Sequence, residues 1–208
     1  MTDHRQERVL DAIRQVRAVP VLRSRSTAEA VATGTALAAG GLTALEVTYS
    51  VPNAAAAIGA LAELPGICVG AGTVTTEAQA AEAAHAGAQF IVSPVSPPWF
   101  LDVATELGIL AIPGAASPTE IWQAHDRGAL AVKVFPIARL GGAAYVRDLL
   151  GPLPALQLMA TGGVTPAIAV ELLAAGCVAV GLGSVHTDEG LGATVEERAQ
   201  AMVRQLQS

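Results

Sequence analysis

Arg127-Gly128-Ala129-Leu130-Ala131-Val132-Lys133-Val134-Phe135-Pro136 carries the pattern that decides the fold. A glycine ends a helical segment, a short apolar run follows, and a proline closes the run. Glycine after a helix supplies the left-handed cap that lets the chain turn back. The pattern recurs along the whole chain. Ala39-Gly40 precedes Leu45-Glu46-Val47, Pro65-Gly66 precedes Ile67-Cys68-Val69, and Ala86-Gly87 precedes Phe90-Ile91-Val92. Leu107-Gly108 precedes Ile109-Leu110-Ala111, and Ala175-Gly176 precedes Val178-Ala179-Val180. The runs begin about 20–26 residues apart, the length of one compact strand–helix unit.

Eight strands are expected, near 19–23, 44–49, 67–73, 89–94, 109–114, 130–136, 156–161 and 178–183. Helices are expected after each, near 27–39, 53–63, 76–86, 98–107, 117–127, 142–150, 166–175 and 194–206. An extra helix near 4–17 precedes the first strand, with Val9, Leu10, Ile13 and Val16 on one face. Thr76, Ser117-Pro118 and Thr165-Pro166 are suitable helix starts. Eight alternating units imply an α/β fold with a parallel sheet, and eight close naturally into a (β/α)8 TIM barrel. The rival is an open doubly wound sheet. A dinucleotide-binding version of it lacks the Gly-x-Gly-x-x-Gly expected after the first strand. Nothing in residues 1–208 reads as a linker, so one domain is expected.

Composition narrows the function classes. Apolar residues make up 52% of the chain and charged residues 14%, which points to a large interior and a buried oligomer face. The net charge of -6 provides no basic footprint, so nucleic acid is not an expected partner. No apolar stretch is long enough to span a membrane, and the N-terminus lacks the core of a signal peptide. A cytoplasmic enzyme fits. Cys68 and Cys177 read as small buried hydrophobes. His4, His85, His125 and His186 are scattered, so neither a metal nor another cofactor is expected.

In such barrels chemistry gathers where strands end. The polar residues there are Arg23, Glu46, Thr48, Thr73, Ser93, Lys133, Thr161 and Ser184. Lys133 is the only lysine in the chain, and it lies in an apolar run where an unpaired ammonium is costly. Strand alternation puts Ala131, Lys133 and Phe135 on one face and Val132 and Val134 on the other. The valines suit packing under helices, which turns Lys133 inward. By the same argument Glu46 and Thr48 point inward from the second strand. In the third, Val69, Ala71 and Thr73 share a face opposite Cys68; in the seventh, Met159 and Thr161 share one.

A buried lysine becomes a usable amine nucleophile near neutral pH. It can form an iminium with a ketone, and a neighbouring carboxylate, here Glu46, is the expected acid/base. The bland alternative is a structural Glu46–Lys133 pair, but interior pairs gain little over apolar residues of similar volume. The glycine-rich loops Thr161-Gly162-Gly163 and Gly181-Leu182-Gly183-Ser184 follow strands seven and eight, where barrels of this kind build phosphate sites.

Several stretches together resemble the class I 2-keto-3-deoxy-6-phosphogluconate (KDPG) and 4-hydroxy-2-oxoglutarate (KHG) aldolases. They are Leu45-Glu46-Val47-Thr48, Val69-Gly70-Ala71-Gly72-Thr73-Val74, Gly87-Ala88-Gln89-Phe90-Ile91-Val92-Ser93-Pro94, Ile112-Pro113-Gly114, Lys133-Val134-Phe135-Pro136 and Thr161-Gly162-Gly163-Val164. The resemblance implies a homotrimeric barrel and a lyase reaction. A phosphorylated 2-keto-3-deoxy sugar acid is cleaved to pyruvate and glyceraldehyde 3-phosphate. Lys133 matches the Schiff-base lysine and Glu46 the acid/base. Thr73, Pro94, Phe135 and Thr161 match residues around the pyruvate unit, and Thr161 also matches a position tied to aldehyde stereochemistry. Gly162, Gly163, Gly183 and Ser184 match the phosphate site, and Arg23 an arginine common at the end of strand one.

The sequence departs from the family at three places. Tyr49-Ser50-Val51-Pro52-Asn53 replaces an arginine often found near the substrate carboxylate. Val95 replaces a usual glycine, and Met159-Ala160 lacks a proline often found before the threonine. The serine-containing loop after Glu46 and Gly181-Leu182-Gly183-Ser184 resemble the branch acting on the 6-phosphogalactonate epimer. A 6-phosphogalactonate or KHG aldolase therefore stays open beside the KDPG reading. So do a phosphosugar isomerase or epimerase and a non-catalytic phosphometabolite-binding barrel.

Overall fold

The computed structural model describes residues 4–207. Its strands are β1 (Ala18–Leu22), β2 (Ala44–Thr48), β3 (Cys68–Gly72), β4 (Phe90–Val92), β5 (Leu110–Ile112), β6 (Gly114–Ala115), β7 (Val132–Val134), β8 (Leu158–Thr161) and β9 (Ala179–Leu182). Its helices are α1 (His4–Val16), α2 (Thr27–Ala39), α3 (Ala54–Ala62), α4 (Glu77–His85) and α5 (Phe100–Leu107). They continue as α6 (Pro118–Asp126), α7 (Ile137–Leu140), α8 (Gly142–Leu150), α9 (Pro166–Ala174) and α10 (Val195–Gln207).

All strand pairs are parallel, and the sheet order is β5-β4-β3-β2-β1-β9-β8-β7-β6. The two edges, β5 and β6, are consecutive in the chain. They are the expected fifth strand, interrupted at Pro113, which has no backbone N–H to donate. Pairing continues across the break: Lys133 N donates to Pro113 O at 2.8 Å, and Gly114 N to Val95 O at 3.1 Å. Strands at eight positions thus wind into a TIM-type (β/α) barrel, as the repeat predicts.

Two layers of core follow from strand alternation. Val132 and Val134 pack with Leu45, Val47, Val69 and Ala71 beneath the helices. Val19, Ala44, Cys68, Phe90, Leu110, Ala131, Met159 and Ala179 fill the barrel interior with Val9, Leu10 and Ile13 of α1. Most of these barrel residues lie at or near the first residue of their strand. The extra helix α1 therefore plugs the N-terminal end, leaving the opposite end for chemistry. It stops at Arg17, whose φ of 63° breaks the helix one residue before β1. The Arg17 guanidinium donates to Leu206 O at 3.1 Å, tying this turn to α10.

Helix starts behave as their sequences dictate. Ser26, Thr76, Ser117 and Thr165 accept a hydrogen bond from a first-turn backbone amide, and Thr76 and Ser117 complete capping boxes with Gln79 and Glu120. Two short elements escape the sequence pattern: α7, and a 3-10 turn at Glu189–Leu191. No described helix is long and apolar enough to cross a membrane.

Candidate active site

Because the strands are parallel, everything at or just past a strand's last residue meets at one end of the barrel. Lys133 lies in β7, Glu46 in β2 and Thr161 at the end of β8. Arg23, Thr73, Pro94 and Phe135 follow β1, β3, β4 and β7 within two residues, as do Gly162-Gly163 and Gly183-Ser184 after β8 and β9. The structure brings every sequence-derived candidate to this end.

The centre of the arrangement is the buried pair of unlike charge. Glu46 is 0% exposed and Lys133 2% exposed. They form no contact salt bridge, and neither Glu46 carboxylate oxygen has a hydrogen-bond partner among the described residues. Burial pushes the Glu46 carboxyl above the ordinary carboxylate range; the positive charges of Lys133 and then Arg23 oppose that rise. Burial also pushes the Lys133 ammonium below the ordinary lysine range; Glu46 opposes the fall and Arg23 adds to it. Both groups are thus driven toward their neutral forms, as an amine nucleophile and an acid/base need. The Lys133 Nζ lies 5.3 Å from the centroid of the Phe135 ring.

Phe135 also faces the late glycine loop. A Cβ at Gly162 would sit 3.0 Å from its ring, and Gly162 has a φ of 98° that favours glycine. Ala138 N of α7 donates to Gly162 O at 3.1 Å, so the helical turn after the lysine strand fastens this loop. Thr161 is buried, and its Oγ1 has no hydrogen-bond partner among the described residues. It occupies space that only glycine leaves free on β9: a Cβ at Gly181 would lie 2.5 Å from Oγ1. Gly183 and Ser184 are exposed. Their loop is held from α10, where Arg198 donates to Gly192 O at 2.8 Å and Ala193 O at 3.0 Å.

Packing decides which face of β3 is interior. Cys68 is interior, so Val69 and Ala71 face the helices, and Thr73 does not inherit an inward direction from β3. Thr73 instead leaves strand geometry, with φ at 60°. Tyr49, just past the end of β2, donates its hydroxyl to Gln79 O of α4 at 2.7 Å. Trp122 of α6 is 45% exposed, with its ring 5.7 Å from that of His125. The position of the missing arginine is also accounted for. Thr48 Oγ1 donates to Leu22 O at 2.8 Å and so accepts from Ser50 Oγ at 2.6 Å. Ser50 is committed to its own strand end, and Arg23 is the guanidinium whose charge both buried groups feel.

A cavity of about 550 Å³ opens beside the site. Pro94, Gly114, Ala115 and Phe135 line it together with Glu120 and Gln123 of α6 and Arg127 just past that helix. Neither Lys133 nor Glu46 lines it, so it adjoins the buried lysine–carboxylate pair without containing it. No group of three His, Cys, Asp or Glu among the described residues is placed to hold a metal ion.

Comparison with known proteins bears on this geometry directly. The family model for KDPG and KHG aldolase matches residues 9–202. The 2-dehydro-3-deoxy-phosphogluconate aldolase of Treponema pallidum is 40% identical over 157 residues, 75% of each chain. The crystal structure of the 2-keto-3-deoxy-6-phospho-gluconate aldolase of Zymomonas mobilis superposes with a TM-score of 0.84 at 30% identity, covering 95% of each chain. A KDPG aldolase of Legionella pneumophila, with pyruvate captured as a covalent carbinolamine, superposes with a TM-score of 0.82 at 27% identity over 95% of this chain and 96% of that one. With the barrel and its buried lysine–carboxylate pair in place, and a model match spanning almost the full length, the chain belongs to the KDPG and KHG aldolase family of carbon–carbon lyases.

Proposed function

We propose that this chain is a Schiff-base aldolase cleaving 2-dehydro-3-deoxy-6-phosphogluconate to pyruvate and glyceraldehyde 3-phosphate. The observation that carries the reading is a solitary lysine, 2% exposed and driven toward the free amine, within electrostatic range of a buried carboxylate that has no hydrogen-bond partner among the described residues. The covalent carbinolamine of the Legionella relative supports the same chemistry.

The steps follow from the two groups. Neutral Lys133 Nζ adds to the C2 ketone, and the oxygen gains a proton to give the carbinolamine. Glu46, protonated by its burial, gives its proton to the departing hydroxyl, and loss of water leaves an iminium facing the resulting carboxylate. Glu46, as carboxylate, takes the proton of the C4 hydroxyl; the C3–C4 electron pair moves into the iminium, the aldehyde departs, and an enamine remains. Glu46 returns the proton to C3, and water hydrolyses the resulting iminium to pyruvate and free lysine. Each proton transfer by a positioned side chain is worth about 10²–10⁴-fold. Phe135 forms the apolar wall near the lysine, with Thr73, Pro94 and Thr161 around the pyruvate unit. Arg23 takes the substrate carboxylate in place of the arginine that the Tyr49–Asn53 stretch replaces. Backbone amides of Gly162, Gly163 and Gly183 with the Ser184 hydroxyl take the phosphate. One domain of this kind works without a cofactor, as a homotrimer in the cytoplasm.

A coupled assay for pyruvate release on the gluconate substrate, its galactonate epimer and 4-hydroxy-2-oxoglutarate tests the reading. Fastest turnover is expected on the gluconate. The serine loop after Glu46 and the Gly181–Ser184 loop favour the galactonate as the second reading, and faster turnover there reassigns the substrate. Turnover of a phosphosugar without pyruvate release points to an isomerase and contradicts the proposal.

A further inference from the structure

We propose that Gly72 is the positioning residue for Glu46: its missing side chain is the seat in which the acid/base carboxylate lies. The proposal rests on the aldolase reading for its catalytic consequence. Cys68 is interior, so Gly70 and Gly72 face the barrel interior from β3. Glu46 pairs in register with Gly70, and Thr48 with Gly72. Strand side chains lean along the strand direction, and the Glu46 carboxyl comes to rest over Gly72. A Cβ there would lie 1.9 Å from Oε1 and 2.6 Å from both Cδ and Cγ. The space over Gly70 is taken by the Phe90 ring, 2.4 Å from where a Cβ would stand. The two glycines therefore open two separate spaces, one for an aromatic ring and one for the carboxylate.

No other demand for glycine acts at 72. Its φ is outside the left-handed region, and its carbonyl accepts from Tyr49 N at 2.9 Å, as any residue's would. What is required is the absence of a Cβ. The colliding atoms are the end of a flexible side chain, so an added methyl displaces the Glu46 carboxyl and leaves the strand in place.

Gly72→Ala tests the assignment on the full-length enzyme, with Glu46→Asp to restore room. Three measurements are made: pyruvate–borohydride trapping, exchange of pyruvate C3 protons with solvent, and a crystal structure. Gly72→Ala is expected to trap pyruvate as wild type does while C3 exchange falls about a hundredfold, the scale of a catalytic group misplaced by about 1 Å. In the double variant the shorter aspartate clears the methyl, and exchange is expected to recover about tenfold over Gly72→Ala, although Glu46→Asp alone is slower than wild type. Wild-type exchange in Gly72→Ala overturns the proposal, as does a parallel loss of trapping and exchange, or no recovery in the double variant. The crystal structure decides even if wild type neither traps nor exchanges, an outcome that would remove the aldolase reading. An unmoved Glu46 carboxyl in Gly72→Ala overturns the seat by itself.

Discussion

Replacing Glu46 and Lys133 together by methionine separates a working pair from a structural one. The two side chains are 0% and 2% exposed, do not touch as a salt bridge, and leave both carboxylate oxygens without a hydrogen bond among the described residues. Desolvation is therefore incompletely offset, and apolar replacements of similar length remove it. Comparable replacements of buried ion pairs are neutral or stabilise by about 1–4 kcal/mol. For a chain of this length each kcal/mol moves the melting temperature by about 2–4 °C. Linkage fixes the pH dependence. Glu46, with its pKa raised, costs nothing below the ordinary carboxylate range, and its cost grows as pH rises toward the folded-state value. Lys133, with its pKa lowered, costs nothing above the ordinary lysine range, and its cost grows as pH falls toward the folded-state value. Both costs are present at neutral pH, so the gain is expected there. Calorimetry of Glu46→Met/Lys133→Met at neutral pH reads it, beside a turnover assay expected to show no activity. A double variant that melts below wild type shows the opposite, a pair that holds the barrel together.

Other perturbations have equally definite signs. Glu46→Gln removes the charge that opposes the fall in the Lys133 pKa, so the acid limb of the pH profile for pyruvate trapping is expected to move to lower pH. Ile13→Ala removes a fully buried residue from the α1 plug and is expected to cost about 2–5 kcal/mol by urea unfolding, while pyruvate trapping of the folded protein persists. Gly181→Ala pushes a methyl against the Thr161 hydroxyl; discrimination between the gluconate and galactonate substrates is expected to drop about tenfold, read as the ratio of their kcat/KM values.

Much of this was legible in the sequence because barrel strands obey simple rules. Glycine-capped helices and spacing located the strand–helix units, and alternation along β7 directed Lys133 inward. Lys133 and Glu46 stood out because charge inside an apolar run needs a reason. Less legible features depended on contacts between strands far apart in the chain. Alternation gave Val69, Ala71 and Thr73 one face but did not say which; packing with Val19 and Ala44 makes the Cys68 face interior. The positive φ at Thr73 has no glycine or asparagine to announce it. Tyr49 turns to α4 because Gln79 O offers its hydroxyl a partner, which no local pattern reveals. The split at Pro113 was missed, since one strand was expected across 109–114, although a proline with no N–H to donate is the signal that could have found it. The seats at Gly72 and Gly181 need the β2–β3 and β8–β9 registers, although a Gly-Ala-Gly strand beside an inward acid is a usable hint.

Lys133 as the nucleophile is simple to test in this chain. Lys133 is the only lysine, so a reductively trapped adduct has one side-chain amine to occupy. Incubation with pyruvate and borohydride, followed by peptide mass spectrometry, is predicted to give one adduct, on the peptide containing Lys133, and none in Lys133→Ala. A folded wild-type protein that acquires no adduct, or acquires it only at the N-terminal amine, contradicts the account.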